Sequence, residues 1–290
     1  MKPLIIYHAE CPDGFGAAYA AWRKWGEKAE YVPAEHGSYQ TLDELEVDNR
    51  LVYILDFSFP RATLDEMAKR ARSVIILDHH KTAKELLAGF PNAVFDMHKS
   101  GARLAWEHFH PTEPLPRMLE CIEDRDLWAW RLPDAANALS YLDTLPHDFE
   151  VWDRAARCTP QAWATLVEQG ELMQRKFMWV VSTVARAAEP VCFCGVHGHK
   201  VELGAASGLL ASDVGHAVYE KSGTFAMLWS IGGGKLKVSL RSKPGIDAAK
   251  MAEQFGGGGH AGAAAFRLTL GTPECTAFME RYIFGNGEVA

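Results

Sequence analysis

The sequence predicts an α/β protein with a parallel-sheet N-terminal domain, a helical connector and a smaller α/β C-terminal domain with a mixed sheet. Three observations carry that expectation. Apolar runs of strand length alternate with helix-length segments from the N-terminus to about residue 130, chemistry-bearing residues recur where those runs end, and beyond Glu189 and Pro190 the composition turns to strand and glycine. The expected boundaries are 1–147, 148–189 and 190–290.

Leu4 to Tyr7 reads as a first strand and Gly14 to Trp25 as an alanine-rich, aromatic helix. Glu30 to Pro33 is a short second strand. Arg50 to Asp56 is an apolar strand closed by a carboxylate, Arg61 to Arg72 has helical periodicity, and Ser73 to Leu77 is the next strand. Ala93 to Asp96 is a weaker strand, and Ser100 to Phe109 and Leu115 to Cys121 read as helices. Strands spaced this way imply parallel pairing through right-handed crossovers. The connector is helical in pattern, and its Trp152, Trp163 and Trp179 read as a core stripe rather than base-stacking residues. In the last third, Thr224 to Ile231 and Leu236 to Arg241 flank Gly232 to Gly234 as a hairpin. Ile246 to Phe255 reads as a helix and Ala263 to Leu270 as a strand.

Of the 290 residues, 48% are hydrophobic and 23% charged, as in an ordinary globular chain, and the formal charge is −7. A protein that coats long nucleic acid is usually basic, which argues against that role; a compact basic pocket stays open, and an acidic total also fits carboxylates gathered to hold metal cations. The six cysteines show no disulfide-scaffold spacing, and the N-terminus reads as neither signal peptide nor membrane span. The expectation is a reduced, cytoplasmic protein without a membrane partner.

Ligands of parallel α/β sheets gather at the carboxyl ends of the strands. Here His8 follows the first strand with Asp13 close behind, Asp56 ends the third, and Asp78, His79 and His80 end the fourth. Asp124 and Asp126 follow a later helix. A single Asp at such a place is more often a turn former or helix cap, but a recurrence at successive strand ends points to one or two divalent cations with mixed nitrogen and oxygen ligands. Manganese, magnesium or zinc would suit that donor set.

These residues resemble the motifs of the DHH phosphoesterase superfamily, which includes RecJ-type single-strand nucleases, small-oligonucleotide phosphodiesterases and manganese pyrophosphatases. His8 with Asp13 and Gly14 is similar to its first motif, Asp56 to the second, Asp78-His79-His80 to the third and Asp124 to the fourth. Gly256 to His260 is similar to the glycine-rich signature of the DHH-associated domain. The resemblance implies two metal positions, most readily for manganese with magnesium as the alternative, bridged by Asp56. Asp13, His79 and Asp124 would complete one and His8 would serve the other. It further implies that His80 faces the scissile phosphate and that Asp78 orients the histidines. The first motif departs from the family pattern. It is one residue short, and Cys11 stands where an Asp is usual. Cys11 is therefore a further candidate ligand that would favour softer metals, with apolar packing as its other reading. Asp126 reads as a cap or a partner of Arg125, with a supporting role at the metals as the alternative.

In the C-terminal domain, Gly257, Gly258 and Gly259 read as a loop whose N–H groups cradle an anion, with His260, Arg241 and Ser242 as further substrate-binding candidates. By the resemblance, this domain grips a terminal phosphate or nucleotide. Cys192 to His199 reads as an alternating strand entering a turn rather than a zinc site, and Asp213 to His216 as a substrate-side or hinge segment. The expected activity is metal-dependent hydrolysis of short single-stranded oligonucleotides or linear dinucleotides to mononucleotides by metal-activated water. The alternatives are a small-phosphate hydrolase acting on nucleoside bisphosphates, pyrophosphate or polyphosphate, and a non-catalytic nucleotide-sensing module. Oligomeric state is not legible.

Overall fold

The computed structural model describes residues 1–9, 11–35 and 42–287, which form two compact units, Met1–Gln174 and Arg175–Ala290. The division falls inside one long helix, Pro160–Ala185, within the segment 148–189.

In the first unit the strands are β1 (Leu4–His8), β2 (Glu30–Ala34), β3 (Leu51–Leu55), β4 (Ser73–Asp78) and β5 (Ala93–Phe95). They form one parallel sheet in the order β2-β1-β3-β4-β5. Side chains alternate across it. Ile5, Tyr53, Leu55 and Leu77 face one apolar layer, and Leu4, Ile6, Val52, Ile54, Val74 and Ile76 face the other. Burial on both faces explains why the strands read as unbroken apolar runs. The helices are α1 (Pro12–Trp25), α2 (Arg61–Arg70), α3 (Lys81–Leu86), α4 (Gly101–Phe109), α5 (Arg117–Asp126), α6 (Ala135–Leu142) and α7 (Phe149–Ala156). The long α8 (Pro160–Ala185) follows. The strand order reverses between β1 and β3, the switch point where sheets of this kind open a crevice at their carboxyl ends.

Two of the connector's helices begin as parts of this unit. Trp152 of α7 is buried, and Asp153 accepts hydrogen bonds from Tyr19 Oη at 3.0 Å and Arg23 Nη1 at 2.9 Å of α1. Trp163 at the start of α8 donates from Nε1 to Asp134 at 2.8 Å. Trp179 departs from the expected core stripe, being 58% exposed, with Lys176 Nζ lying 4.0 Å over its ring. Among the described residues, no helix is long and apolar enough to cross a membrane.

The second unit adds β6 (Glu189–Phe193), β7 (Val196–Glu202), α9 (Ser207–Ser222), β8 (Phe225–Gly232), β9 (Lys235–Ser242) and α10 (Ala248–Glu253). The edge strand β10 (Gly258–His260), β11 (Ala263–Thr269) and α11 (Pro273–Phe278) follow, and a π-helical turn (Met279–Phe284) comes last. The sheet order is β10-β11-β9-β8-β7-β6, antiparallel except where α9 carries β7 over to a parallel β8. The β8–β9 hairpin turns on Gly233 (φ 57°) and Gly234 (φ 71°), the paired left-handed conformation that a two-residue hairpin demands. Asp213 to His216 lies within α9.

Lys200 of β7 is buried, and its ammonium donates to the carbonyl oxygens of Ile283, at 2.6 Å, and Gly285. These are carbonyls at the end of the π-helical turn, where intrahelical partners run out. Desolvation lowers the Lys200 pKa, with Glu189 opposing. Lys200→Met should cost about 1.5–3 kcal/mol, the usual size for a hydrogen bond to a charged donor. Urea denaturation should read that loss, with hydrogen exchange accelerating over residues 279–287; unchanged stability would refute the clip.

Candidate active site

The carboxyl ends of β1, β3 and β4 bring one set of side chains together. Asp56 is central. It is 1% exposed and has a left-handed backbone, φ 53°, fixed in part by donation of its N–H to Leu77 O at 2.9 Å. Its Oδ2 faces His8 Nδ1 at 3.4 Å and its Oδ1 faces His79 Nε2 at 3.2 Å. His79 Nε2 also lies 3.7 Å from Asp13 Oδ2 and 3.5 Å from Asp126 Oδ2. Donor atoms of His8, Cys11 and Asp56 lie within 4.8 Å of one another, as do those of Asp56, His79 and His80 and those of Asp13, His79 and Asp126.

Asp126 occupies the place expected for Asp124, and the helix explains why. The sequence pattern ends α5 at Cys121, but α5 continues through Asp126, so both aspartates are helical. Two residues along a helix turn a side chain by about 200°, so only one of the pair can face the cluster. Asp124 turns the other way, accepting from the N–H groups of Arg131 and Leu132, both at 2.9 Å. Its carbonyl accepts from Ala129 at 2.8 Å and Trp130 at 3.3 Å. Asp124 therefore ties down the loop after α5, in which Trp128 (φ 53°) and Trp130 (φ 49°) both hold left-handed backbone.

The supporting contacts are equally specific. Asp13 accepts from Gly101 N at 2.6 Å and Ala102 N at 2.9 Å, the N-terminus of α4. Asp78 Oδ1 accepts from the backbone N–H of His79 at 2.7 Å and of His80 at 3.0 Å, and lies 2.8 Å from His80 Nδ1. Ser58 Oγ donates to Asp78 Oδ2. Asp78 thus uses its acceptors to orient the two histidines, and Ser58, two residues beyond Asp56, is a partner that no sequence pattern marks. Gly101 is another. A Cβ there would lie 2.4 Å from Asp56 Cβ and 2.7 Å from Asp56 Oδ1. Gly14 is needed for the same kind of reason, since a Cβ would meet His8 O at 2.2 Å.

The electrostatics are those of a site built around positive charge. Burial, then the charges of Asp56 and Asp126, push Asp13 well above the usual carboxylate range. Burial raises Asp126 to about 6, with Asp56 adding to the rise and His79 opposing it. Burial alone would raise Asp56 too, but the imidazoles of His79 and His8, then His80, hold it well below the usual range. Burial depresses His79, but Asp56, Asp126 and Asp13 outweigh it and carry the imidazole to about 10. Burial, then Asp56 and Asp13, push the Cys11 thiol upward. Both Asp56 oxygens are buried without a hydrogen-bond donor in acceptable geometry among the described residues. A cation with ligands at about 2.1 Å keeps neighbouring ligand atoms roughly 3–3.5 Å apart, close to the spacings found here, so the residues fit divalent metal.

In the second unit, Arg241, Ala263 and His260 share one register row across β9, β11 and β10, so Arg241 and His260 project from the same face with a small residue between them. Arg241 lies against Gly215 of α9, where a Cβ would be 2.5 Å from Arg241 Cγ, and donates to Ser212 Oγ at 3.2 Å. Burial lowers its guanidinium to about 10, and Asp213 and Tyr219 oppose that. Ser242 points inward, its hydroxyl 2.8 Å from Ile246 O and 3.0 Å from Ala261 O, which makes it a loop clamp. The glycine run is not an open loop. Gly257 donates its N–H to Ala252 O at 3.0 Å, and Gly258 and Gly259 belong to the edge strand. A Cβ on Gly257 would come within 2.2 Å of Ala265 O, and one on Gly259 (φ 140°) within 2.5 Å of Ala263 O. The sheet's own packing therefore accounts for these two glycines.

Residues 190–283 match the DHHA1 domain family. An uncharacterized protein of Acanthamoeba polyphaga mimivirus is 30% identical, over 95% of this chain and 69% of its own length. Among solved structures, the pGpG-specific phosphodiesterase PggH from Vibrio cholerae has 15% identity and a TM-score of 0.55, over 98% of this chain and 97% of that one. RecJ from Thermus thermophilus, solved in complex with Mn2+, has 17% identity and a TM-score of 0.53, over 97% of this chain and 52% of that one. At those identities the likeness is one of fold. A parallel sheet ending in the Asp78-His79-His80 corner, followed by a DHHA1 domain, agrees with these matches, and the chain belongs to the DHH phosphoesterase superfamily.

Proposed function

We propose that this chain is a metal-dependent phosphodiesterase that hydrolyses short single-stranded oligonucleotides or linear dinucleotides to mononucleotides. The observation that carries the reading is Asp56, a buried carboxylate whose two oxygens face different donor groups, as a bridge between two cations would. His8 and Cys11 stand on one side, and Asp13, His79 and Asp126 on the other, with manganese the first candidate and magnesium the second. Divalent cations held there supply charge neutralisation and acidify a bound water.

The chain's own part is to hold and to donate. Asp78 fixes the His80 ring through Nδ1, which makes Nε2 the atom that meets a phosphate or leaving oxygen in this reading. The formal charge of −7 suits short substrates, because a long strand calls for a basic track. A base-carrying substrate is favoured by Trp128 and Trp130, edge to face at 5.2 Å, two and four residues beyond Asp126. Left-handed backbone is disfavoured for bulky residues and persists where surrounding contacts enforce it, as Asp124 does here. Trp130 remains 36% exposed, a surface on which a base can stack. In the second unit, Arg241 and His260 are the candidates for a terminal phosphate.

The deciding experiment is a substrate panel with manganese. It comprises di- to decanucleotides of RNA and DNA, cyclic dinucleotides, nucleoside bisphosphates and pyrophosphate. Cleavage of linear dinucleotides and short oligonucleotides is expected; action on pyrophosphate alone would overturn the reading. His80→Ala should lower kcat by about 10²–10⁴-fold with metal content unchanged. Full turnover by that variant would remove His80 from the mechanism.

Trp130→Ala should raise KM for a dinucleotide by about 5–150-fold, corresponding to about 1–3 kcal/mol of stacking, with kcat less affected. Trp130→Phe should recover most of the loss. An unchanged KM in the alanine variant would exclude stacking.

A further inference from the structure

We propose that the two cation positions sharing Asp56 differ in kind. The position of His8, Cys11 and Asp56 is a nitrogen–sulfur–oxygen site selective for a thiophilic divalent ion of the zinc or cobalt class. That of Asp13, His79 and Asp126 takes a harder ion such as manganese or magnesium. The inference rests on the metal-centre reading above and adds that the centre is built for two different metals.

Three observations carry it. The donor atoms of His8, Cys11 and Asp56 fall within 4.8 Å of one another, with His8 Nδ1 3.4 Å from Asp56 Oδ2. Asp56, buried to 1% exposure, turns Oδ2 to this position and Oδ1 to His79, and neither oxygen has a hydrogen-bond donor in acceptable geometry among the described residues. Finally, Cys11 occupies the N-cap of α1 and makes no side-chain cap there. Ser, Thr, Asp or Asn at that place would close the helix with a hydrogen bond, so a cysteine forgoes helix stability. Pro12 at the helix start and the close approach of Gly14 to the His8 carbonyl hold the start of α1 against the end of β1.

The donor sets then separate the metals. Thiolate sulfur favours zinc, cobalt and other softer ions, while carboxylate oxygens suit manganese and magnesium. Cys11 binds as thiolate, its proton passing to solvent as the sulfur–metal bond forms. The opposite position offers two carboxylates and one imidazole, with Asp56 Oδ1 3.2 Å from that imidazole.

The test is cobalt titration of the chelator-stripped full chain, followed by ultraviolet–visible absorption, with bound metal counted by elemental analysis. Two cobalt ions per chain are expected, with a thiolate-to-cobalt charge-transfer band from one sulfur. Cys11→Ser should lose the band and weaken that position by at least the roughly 10–100-fold seen when even an outer partner of a metal ligand is removed. Cys11→Asp should bind two ions without the band and should exchange that ion for manganese far more readily than the parent. Two cobalt ions bound with no thiolate band, or a band that survives Cys11→Ser, would overturn this inference and leave the metal centre standing, with Cys11 a packing residue. Failure to bind cobalt or manganese at all would overturn both.

Discussion

A carboxylate buried to 1% exposure at the end of a central strand is the constraint on which this structure depends. Removing a charge from water costs several kcal/mol unless opposite charge and well-placed partners offset it. Asp56 is surrounded accordingly. His8 and His79 face its two oxygens, its own backbone takes a left-handed turn, and α4 approaches so closely that position 101 has no room for a side chain. None of these features stabilises the sheet by itself. They make sense together as a cradle whose stability depends on positive charge between the carboxylates, which is how a metal centre becomes coupled to its fold.

Aspartate appears in this centre in several roles, and partners rather than residue type separate them. Asp78 and Asp124 are both buried, yet each has its oxygens filled by donors of the chain, His79, His80 and Ser58 for one and the Arg131 and Leu132 amides for the other. A carboxylate so engaged orients its neighbours. Asp13 is intermediate, since α4 amides hold both oxygens while Oδ2 still faces His79. Asp126 and Asp56 have few donors and keep lone pairs directed at the cluster. Counting hydrogen-bond donors around each carboxylate separates chemically identical aspartates into those committed to the chain's own donors and those with oxygens left facing the cluster.

That count also explains what the sequence made legible. Burial on both faces of the sheet gave the strands of the first unit continuous apolar runs, and polar residues at strand ends marked the crevice, so His8, Asp13, Asp56, His79 and His80 could be picked out. The resemblance favours Asp124 over Asp126, whereas the structure turns Asp126 to the cluster, because the choice depends on a helix phase and on where α5 stops, and helix ends are the least determined feature of a sequence. Gly101, Ser58 and the left-handed Trp128 and Trp130 carry no local pattern, since their roles arise from contacts between distant segments. The glycines before His260 are visible in the sequence, but their reason is not. Close backbone approach is legible, and the thing approached is the neighbouring strand β11.

The tryptophan loop is built from the same helix end as the site. A helix that ended at Asp126 and ran on into an unconstrained loop would present the same carboxylate with any residues after it. Here the preceding aspartate commits its whole carboxylate and its carbonyl to the next eight residues, and two bulky side chains sit in backbone conformations that such residues avoid. The strain is local, and the contacts that enforce it come from the residue beside the site, so the loop's shape and the position of Asp126 are set by the same helix end. Any change in what Asp124 holds would move both the exposed aromatic surface and the carboxylate that faces His79. The exposed face of Trp130 and the placement of the Asp126 carboxylate at the cluster are thus coupled through α5.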